Sequence, residues 1–241
     1  MDKQRAKMIA EIVKRIDHTI LAPVTTWAEM EEFLNDAMEF QVASVNVPES
    51  FIKPATDYLR SKGSDMVVAL PVGYPTGYNT TAVKCYEIRD GYVNGAREFN
   101  VVINLGWVKD KRWDDVANEL RACKEAANGC PILVIIECGL LTEEEKIKMC
   151  EIITETGCDF IKTATGYNTT WEGYNKGVAT VEDVELFHKH LGPNVQIKAA
   201  GGMYSMEDAD KFVQLGAARL GSKALLGIAR DEGYYVGLEN E

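Results

Sequence analysis

Short apolar runs rich in β-branched residues alternate along the chain with longer polar-apolar segments of helical period. We predict eight strands at these runs: 16–21, 42–47, 66–71, 98–104, 132–138, 159–163, 195–198 and 218–221. The intervening segments begin with helix-capping chemistry, since Thr142, Thr180 and Ser205 each stand three residues before a carboxylate. One more helix, roughly residues 2–14, is predicted before the first strand.

This alternation indicates an α/β fold with a parallel sheet that is buried on both faces. Eight strand-helix repeats in 241 residues fit a closed (β/α)8 TIM barrel with an extra N-terminal helix. We expect a single domain over residues 1–241, because the chain has neither a Pro/Gly/Ser-rich linker nor a break in composition. The active site of such a barrel lies at the carboxyl ends of its strands.

Two lysines are predicted at strand ends, one strand-helix unit apart. Lys162 closes the sixth strand and Lys198 closes the seventh, and each is followed by small residues and glycine. A barrel would place both ammonium groups at one mouth, where burial and like-charge repulsion lower the pKa of at least one of them. The resulting neutral amine can attack a carbonyl, which is the chemistry of a Schiff-base aldolase.

Polar residues on neighbouring strands are expected to join these lysines. Alternation along the fourth strand directs Asn100 and Asn104 into the barrel, where they could equally form a hydrogen-bonded polar layer. The same parity turns Glu137 of the fifth strand inward. A buried carboxylate needs a partner, and Lys162 or Lys198 is the obvious candidate.

Composition narrows the possible partners. A formal charge of -11 and a pI near 4.9 argue against nucleic acid. The N-terminus lacks an apolar signal core and the apolar run 131–136 is too short for a bilayer, so we expect a cytoplasmic protein without membrane contact. The six cysteines form no C-x-x-C pair, and His188 and His190 do not share a helix face, so no metal or cofactor is predicted.

Two glycine-containing turns follow the last two predicted strands. Gly201 and Gly202 come after the seventh strand, and Gly221, Ser222 and Lys223 come after the eighth. Backbone amides at such turns bind phosphate in barrels that act on phosphorylated substrates, although turns also use glycine for conformational reasons alone. We therefore predict a phosphate-binding site formed by these five residues.

Several motifs together resemble the deoxyribose-phosphate aldolase family, over roughly residues 9–228. They are the segments 16–19, 73–81, 101–104 and 134–137 and the stretches around Lys162 and Lys198. The resemblance implies a barrel that uses no metal and cleaves 2-deoxyribose 5-phosphate into acetaldehyde and glyceraldehyde 3-phosphate. It further implies that Lys162 is the Schiff-base lysine and that Lys198 lowers its pKa.

The same resemblance adds substrate-binding candidates. We expect Thr163 and Gly166, which follow Lys162, to line the substrate site. Asp17 ends the first predicted strand, and it either binds substrate hydroxyls or pairs with a lysine across the barrel. The resemblance favours a place for it in the site.

The chain also departs from the family pattern. Asn100 stands where family members have an aspartate that relays protons, and Leu133 stands where they usually have a lysine. Asparagine can orient a water molecule but cannot accept a proton at neutral pH. Losing the acid and the base together indicates that one charged network was removed.

Three functional hypotheses follow. The first is an aldolase on the family substrate, with Asn100 still in the site and proton transfer rerouted. The second is a Schiff-base aldolase on a different sugar or aldehyde, with a mouth reshaped by tyrosines at positions 74, 78, 167 and 204. The third is a sugar-phosphate-binding paralog without catalysis, which the retention of both lysines disfavours. The expected partner is a small aldehyde or sugar phosphate, and the protein could assemble as a homodimer or a higher homo-oligomer.

Overall fold

The computed structural model describes residues 1–167 and 177–240. Within them, eight parallel strands pair in chain order, and the eighth pairs with the first to close a barrel. The strands are β1 (Ile16–Thr19), β2 (Ser44–Asn46), β3 (Val67–Val72), β4 (Glu98–Val102), β5 (Ile132–Ile135), β6 (Phe160–Lys162), β7 (Gln196–Ala200) and β8 (Ala217–Ser222). Each predicted strand is present, and the TIM barrel is confirmed.

Helices surround the barrel and shield the outer face of its strands. They are α1 (Lys3–Val13), α2 (Trp27–Phe40), α3 (Ile52–Ser61), α4 (Thr81–Asn94), α5 (Leu105–Lys109), α6 (Trp113–Ala126), α7 (Glu143–Thr156), α8 (Val181–His190), α9 (Met206–Gln214) and α10 (Leu225–Asp231). The extra N-terminal helix is confirmed as α1, and Thr142 forms the predicted capping box with Glu145. Within the described residues, no helix has the length and apolar character needed to cross a membrane.

The pairing register shows which inward side chains lie at one level of the barrel. Because the strands are tilted against the barrel axis, residues at one height shift by about one position from each strand to the next. The residue at the same height two strands along therefore lies about two positions after the register partner. Asn46 is in register with Glu98 through β3, so Asn100 is level with it. The same step leads to Lys162, then Gly221, and back to Asn46. These four residues form what we call the upper layer.

A second set of inward residues lies one level further from the carboxyl ends of the strands. By the same rule it contains Asp17, Ala69, Leu133 and Lys198, which we call the lower layer. Lys198 is the third residue of β7, so the expectation that it ends its strand is wrong. The strand continues because the small residues Ala199 and Ala200 extend the ladder along β8.

Candidate active site

Lys162 is the last residue of β6 and is 3% exposed. Its pKa is lowered from 10.5 to about 7, first by burial and then by repulsion from the Lys198 ammonium. The negative charges of Asp17, Glu137 and Glu98 oppose this lowering but do not cancel it. A large fraction of Lys162 is therefore a neutral amine near pH 7, as predicted from the two-lysine pattern.

Lys198 is fully buried one layer below Lys162, within a network of hydrogen bonds. Its Nζ donates to the Asp17 carboxylate and to Asn100 Oδ1, the latter at 2.9 Å, and lies 3.9 Å from Glu98 Oε1. The other Asp17 oxygen accepts a 2.8 Å hydrogen bond from Ser44 Oγ. Of the two alternatives for Asp17, the structure displays the pairing with a lysine across the barrel. Its contact with substrate stays a prediction.

Asn100 has a fixed orientation in this network. A lysine ammonium can only donate, so the oxygen of the Asn100 amide must face Lys198 and its nitrogen must point away. This Nδ2 is buried and has no hydrogen-bond partner within the described residues. Asn104, in contrast, caps α5 by accepting from the Trp107 amide at 3.3 Å. The expectation that Asn104 faces the lysines is therefore wrong, because β4 has already ended at Val102.

Glu137 lies just beyond β5, where its backbone adopts a left-handed conformation with φ of 51°. Its carboxylate accepts a 3.0 Å hydrogen bond from the Thr165 amide. Glu137 thus binds the backbone that follows Lys162, and its charge acts on the Lys162 ammonium through space. The expected involvement with a lysine is electrostatic.

Tyrosines at the mouth fall into two groups. The rings of Tyr74 and Tyr167 meet edge to face with centroids 6.3 Å apart, and the Tyr74 hydroxyl donates to Thr165 O at 3.4 Å. Burial raises the pKa of Tyr74 to about 12, so this hydroxyl stays protonated. Tyr78 and Tyr204 are instead well exposed. The structure therefore joins two of the four predicted mouth tyrosines.

Thr163 and Gly166 follow Lys162 along the chain. The Thr163 hydroxyl accepts from the Ala200 amide at 3.0 Å and donates to the Ala200 carbonyl at 3.3 Å, so it ties β6 to β7. Gly166 is exposed and has a φ of 75°, in the left-handed region that favours glycine. Direct contact of either residue with substrate stays a prediction.

The predicted phosphate turns lie at the carboxyl ends of β7 and β8. Gly201 and Gly202 both have a φ of 75°, and a Cβ on Gly202 would come within 3.0 Å of a carbonyl oxygen. The Gly201 amide already donates to Gly221 O at 3.1 Å. Ser222 Oγ accepts from the amides two and three residues further on, while Lys223 is exposed. Their role in phosphate binding stays a prediction.

Sequence reasoning missed two buried polar residues on β2. Ser44 binds Asp17, and Asn46 lies in the upper layer with Lys162. In the side-chain amide of Asn46, neither Nδ2 nor Oδ1 has a hydrogen-bond partner within the described part of the chain. The signal was present, because Ser44 and Asn46 alternate with Val45 and Val47 just as polar and apolar residues do in β4.

A (β/α)8 barrel with a buried, partly neutral lysine at the carboxyl ends of its strands has the features of a barrel aldolase. Comparison with known proteins agrees. The model of the DeoC/LacD family aldolases matches residues 11–239. The chain belongs to this family.

Individual relatives support the assignment. The chain is 43% identical to a deoxyribose-phosphate aldolase of Clostridioides difficile, over 92% of this chain and 96% of the relative. It is 42% identical to a deoxyribose-phosphate aldolase of Streptococcus agalactiae, over 93% of this chain and 96% of that one. Among solved structures, a candidate deoxyribose-phosphate aldolase from Coccidioides immitis superposes with a TM-score of 0.85 at 32% identity, covering 93% and 87% of the two chains.

Proposed function

We propose that this protein is a Schiff-base aldolase that cleaves 2-deoxyribose 5-phosphate into acetaldehyde and glyceraldehyde 3-phosphate. The observation that carries the proposal is the buried Lys162, whose pKa of about 7 leaves a nucleophilic amine at neutral pH. The substrate is suggested by the names of the relatives and by the motifs shared with their family.

The first half of the reaction joins substrate to enzyme. The neutral Nζ of Lys162 attacks carbon 1 of the open-chain sugar, the carbonyl oxygen takes a proton from Lys198, and the Lys162 nitrogen returns a proton to Lys198. Asn100 Nδ2 donates a hydrogen bond to the resulting hydroxyl, which takes that second proton from Lys198 and leaves as water, giving the protonated imine and a neutral Lys198. The fixed orientation of the Asn100 amide supports this role, since its oxygen is already held by Lys198.

In the second half, the protonated imine draws the electron pair of the bond between carbons 2 and 3, leaving an enamine on Lys162. The hydroxyl on carbon 3 loses its proton and becomes the carbonyl of glyceraldehyde 3-phosphate. Asn100 cannot accept this proton at neutral pH. The proton therefore passes to water, or to Lys198, which has already given its own proton to the substrate. The group that received this proton, Lys198 or water, then protonates the enamine at carbon 2, and water hydrolyses the imine to release acetaldehyde and the free Lys162 amine.

The phosphate of the substrate is assigned to the turns after β7 and β8. Gly202 and Gly201 let the backbone turn there without a side chain, and the Lys223 ammonium adds a positive charge beside them. Ser222 shapes the second turn by binding the amides that follow Lys223. Substrate anchored at these turns would direct its aldehyde end towards Lys162.

Two further properties belong to the proposal. The imine supplies the electron sink, so we expect turnover to be independent of divalent metal and unchanged by a chelator. We also expect a homodimer or a higher homo-oligomer, which sedimentation equilibrium would measure.

Purified protein should convert 2-deoxyribose 5-phosphate to acetaldehyde in a coupled assay. Borohydride added with acetaldehyde should leave a reduced adduct on the peptide that contains Lys162, and Lys162→Met should remove both the adduct and the turnover. An adduct without cleavage of the phosphosugar would indicate a Schiff-base aldolase for a different aldehyde, for which Asn100 and Leu133 give a reason. No adduct would favour a binding protein without catalysis.

A further inference from the structure

The upper layer contains an asparagine for which the mechanism above has no role. Asn46 is the last residue of β2 and is completely buried, yet neither Nδ2 nor Oδ1 finds a hydrogen-bond partner within the described residues. Burying a primary amide without hydrogen bonds is unfavourable. Such a side chain in the same layer as a reactive lysine indicates a polar group that arrives with a ligand.

The position of Asn46 follows from strand parity and register. Ser44, two residues earlier, points into the barrel and binds Asp17, so Asn46 points the same way about 7 Å nearer the carboxyl ends of the strands. β2 and β6 are four strands apart in an eight-stranded ring, so Asn46 faces Lys162 across the upper layer. Gly221 shares this layer and adds no side chain to it.

We propose that Asn46 is a substrate-binding residue whose amide binds the oxygen on carbon 3 of the sugar. This inference rests on the proposed function. Carbon 1 is bound to Lys162 and carbon 3 is two bonds further along, so a substrate that extends from Lys162 across the upper layer brings the oxygen on carbon 3 towards Asn46. In cleavage the oxygen is a hydroxyl, and in the reverse addition it is the carbonyl oxygen of the acceptor aldehyde.

A neutral amide suits both states of this oxygen. Oδ1 accepts from the hydroxyl, while Nδ2 donates to the hydroxyl oxygen and to the carbonyl oxygen that replaces it. Asn46 takes up no proton in this role. It fixes the face from which carbon 3 meets the enamine, and so it determines the configuration of the new alcohol in the addition direction.

The test compares two reactions of the same lysine. Acetaldehyde has no carbon 3, so exchange of its methyl hydrogens in D2O requires Lys162 but not the group bound by Asn46. Asn46→Ala and the nearly isosteric Asn46→Leu should keep this exchange within about twofold of wild type. The kcat/KM for cleavage of 2-deoxyribose 5-phosphate should fall about tenfold, the effect of losing one or two neutral hydrogen bonds. The addition product should become a mixture at carbon 3.

A matched control removes another unpartnered polar group. Thr56, on α3 outside the barrel, also has a buried Oγ1 without a hydrogen-bond partner among the residues that the structure describes. Thr56→Val should leave exchange and cleavage unchanged. Because the Asn46 amide has no hydrogen-bond partner to lose among the described residues, the nearly isosteric Asn46→Leu variant should melt at or above the wild-type Tm.

The outcomes separate the two proposals. Unchanged cleavage and stereochemistry in the Asn46 variants would mean that the amide holds at most a water molecule, and would overturn the inference. An equal loss of exchange and cleavage would also overturn it, because Asn46 would then act on Lys162 and not on carbon 3. A wild-type protein that neither exchanges acetaldehyde nor cleaves the sugar would refute the proposed function itself.

Discussion

Replacing Lys198 with methionine should raise the pKa of Lys162 and move the acid limb of activity to higher pH. Burial and the Lys198 ammonium hold that pKa at about 7 in the wild type. The substitution removes the repulsion and also leaves Asp17, the former partner of Lys198, as an uncompensated carboxylate. Both changes favour the protonated form of Lys162.

The magnitude follows from the two pKa values. At a pKa of about 7 half of Lys162 is neutral at pH 7, whereas at 10.5 only about one molecule in 3000 would be. The whole lowering corresponds to about 5 kcal/mol, with burial as the largest cause. We expect loss of Lys198 to raise the pKa by roughly one to two pH units, reducing the neutral amine at pH 7 about ten- to hundredfold.

The assay is the rate of adduct formation with acetaldehyde, trapped by borohydride, between pH 5 and pH 10. Wild type is compared with Lys198→Met and with Lys198→Met/Asp17→Asn. The double variant loses both charges of the pair, so its acid limb should fall between the other two. It should also recover part of the roughly 3–5 kcal/mol of stability that an unpaired buried carboxylate removes. An active Lys198→Met variant with the wild-type acid limb would refute the reasoning.

Two predictions concern buried lysines and stability. Lys162→Met should raise the free energy of unfolding by several kcal/mol at pH 6. The gain should vanish as pH rises from about 7 towards 10.5, where the lysine of the unfolded chain also loses its proton. Urea unfolding across this pH range measures the gain, and an equal gain at every pH would contradict the prediction. Lys84 donates to Glu119 at 2.6 Å in a fully buried pair, so Lys84→Met should lower the free energy of unfolding by about 3–5 kcal/mol. Lys84→Met/Glu119→Gln should restore most of that stability in the same urea measurement, and no recovery would count against a paired role.

The barrel was predictable because its strands are continuous apolar runs with helix caps between them. The ends of the strands were less predictable, because side-chain hydrogen bonds determine where a strand stops. Asn104 ends its segment by capping α5, although its sequence parity extends the alternation of β4. Ala199 and Ala200 lengthen β7 because small side chains permit continued pairing beside Gly221, which only the register reveals.

The site was predictable where a residue type has few possible roles at its position. A lysine in an apolar strand, as at Lys162, indicates an unusual pKa. The partners of Lys198 were harder, because Asp17 lies 181 positions away and only barrel closure brings the two together. The buried pair of Lys84 and Glu119 joins two helices and has no local pattern.

The two layers show how Asn100 and Leu133, the two departures from the family pattern, lie relative to each other. They are register partners on β4 and β5, with Asn100 in the upper layer and Leu133 in the lower. Asn100 accepts from Lys198 at 2.9 Å, and Lys198 is already paired with Asp17. A carboxylate at position 100 would therefore join a site whose positive charge is already compensated.

This arrangement predicts that Asn100→Asp alone gains little. A positioned carboxylate can relay protons, typically contributing about a hundredfold or more. Its negative charge would also raise the pKa of Lys162 and remove neutral amine, opposing that gain. Adding Leu133→Lys supplies a balancing cation beside it, so the double variant should exceed Asn100→Asp by at least about tenfold in kcat/KM for 2-deoxyribose 5-phosphate. Leu133→Lys alone serves as the control and should be no faster than wild type. If Asn100→Asp alone matches the double variant, charge balance does not limit what a carboxylate at position 100 can contribute.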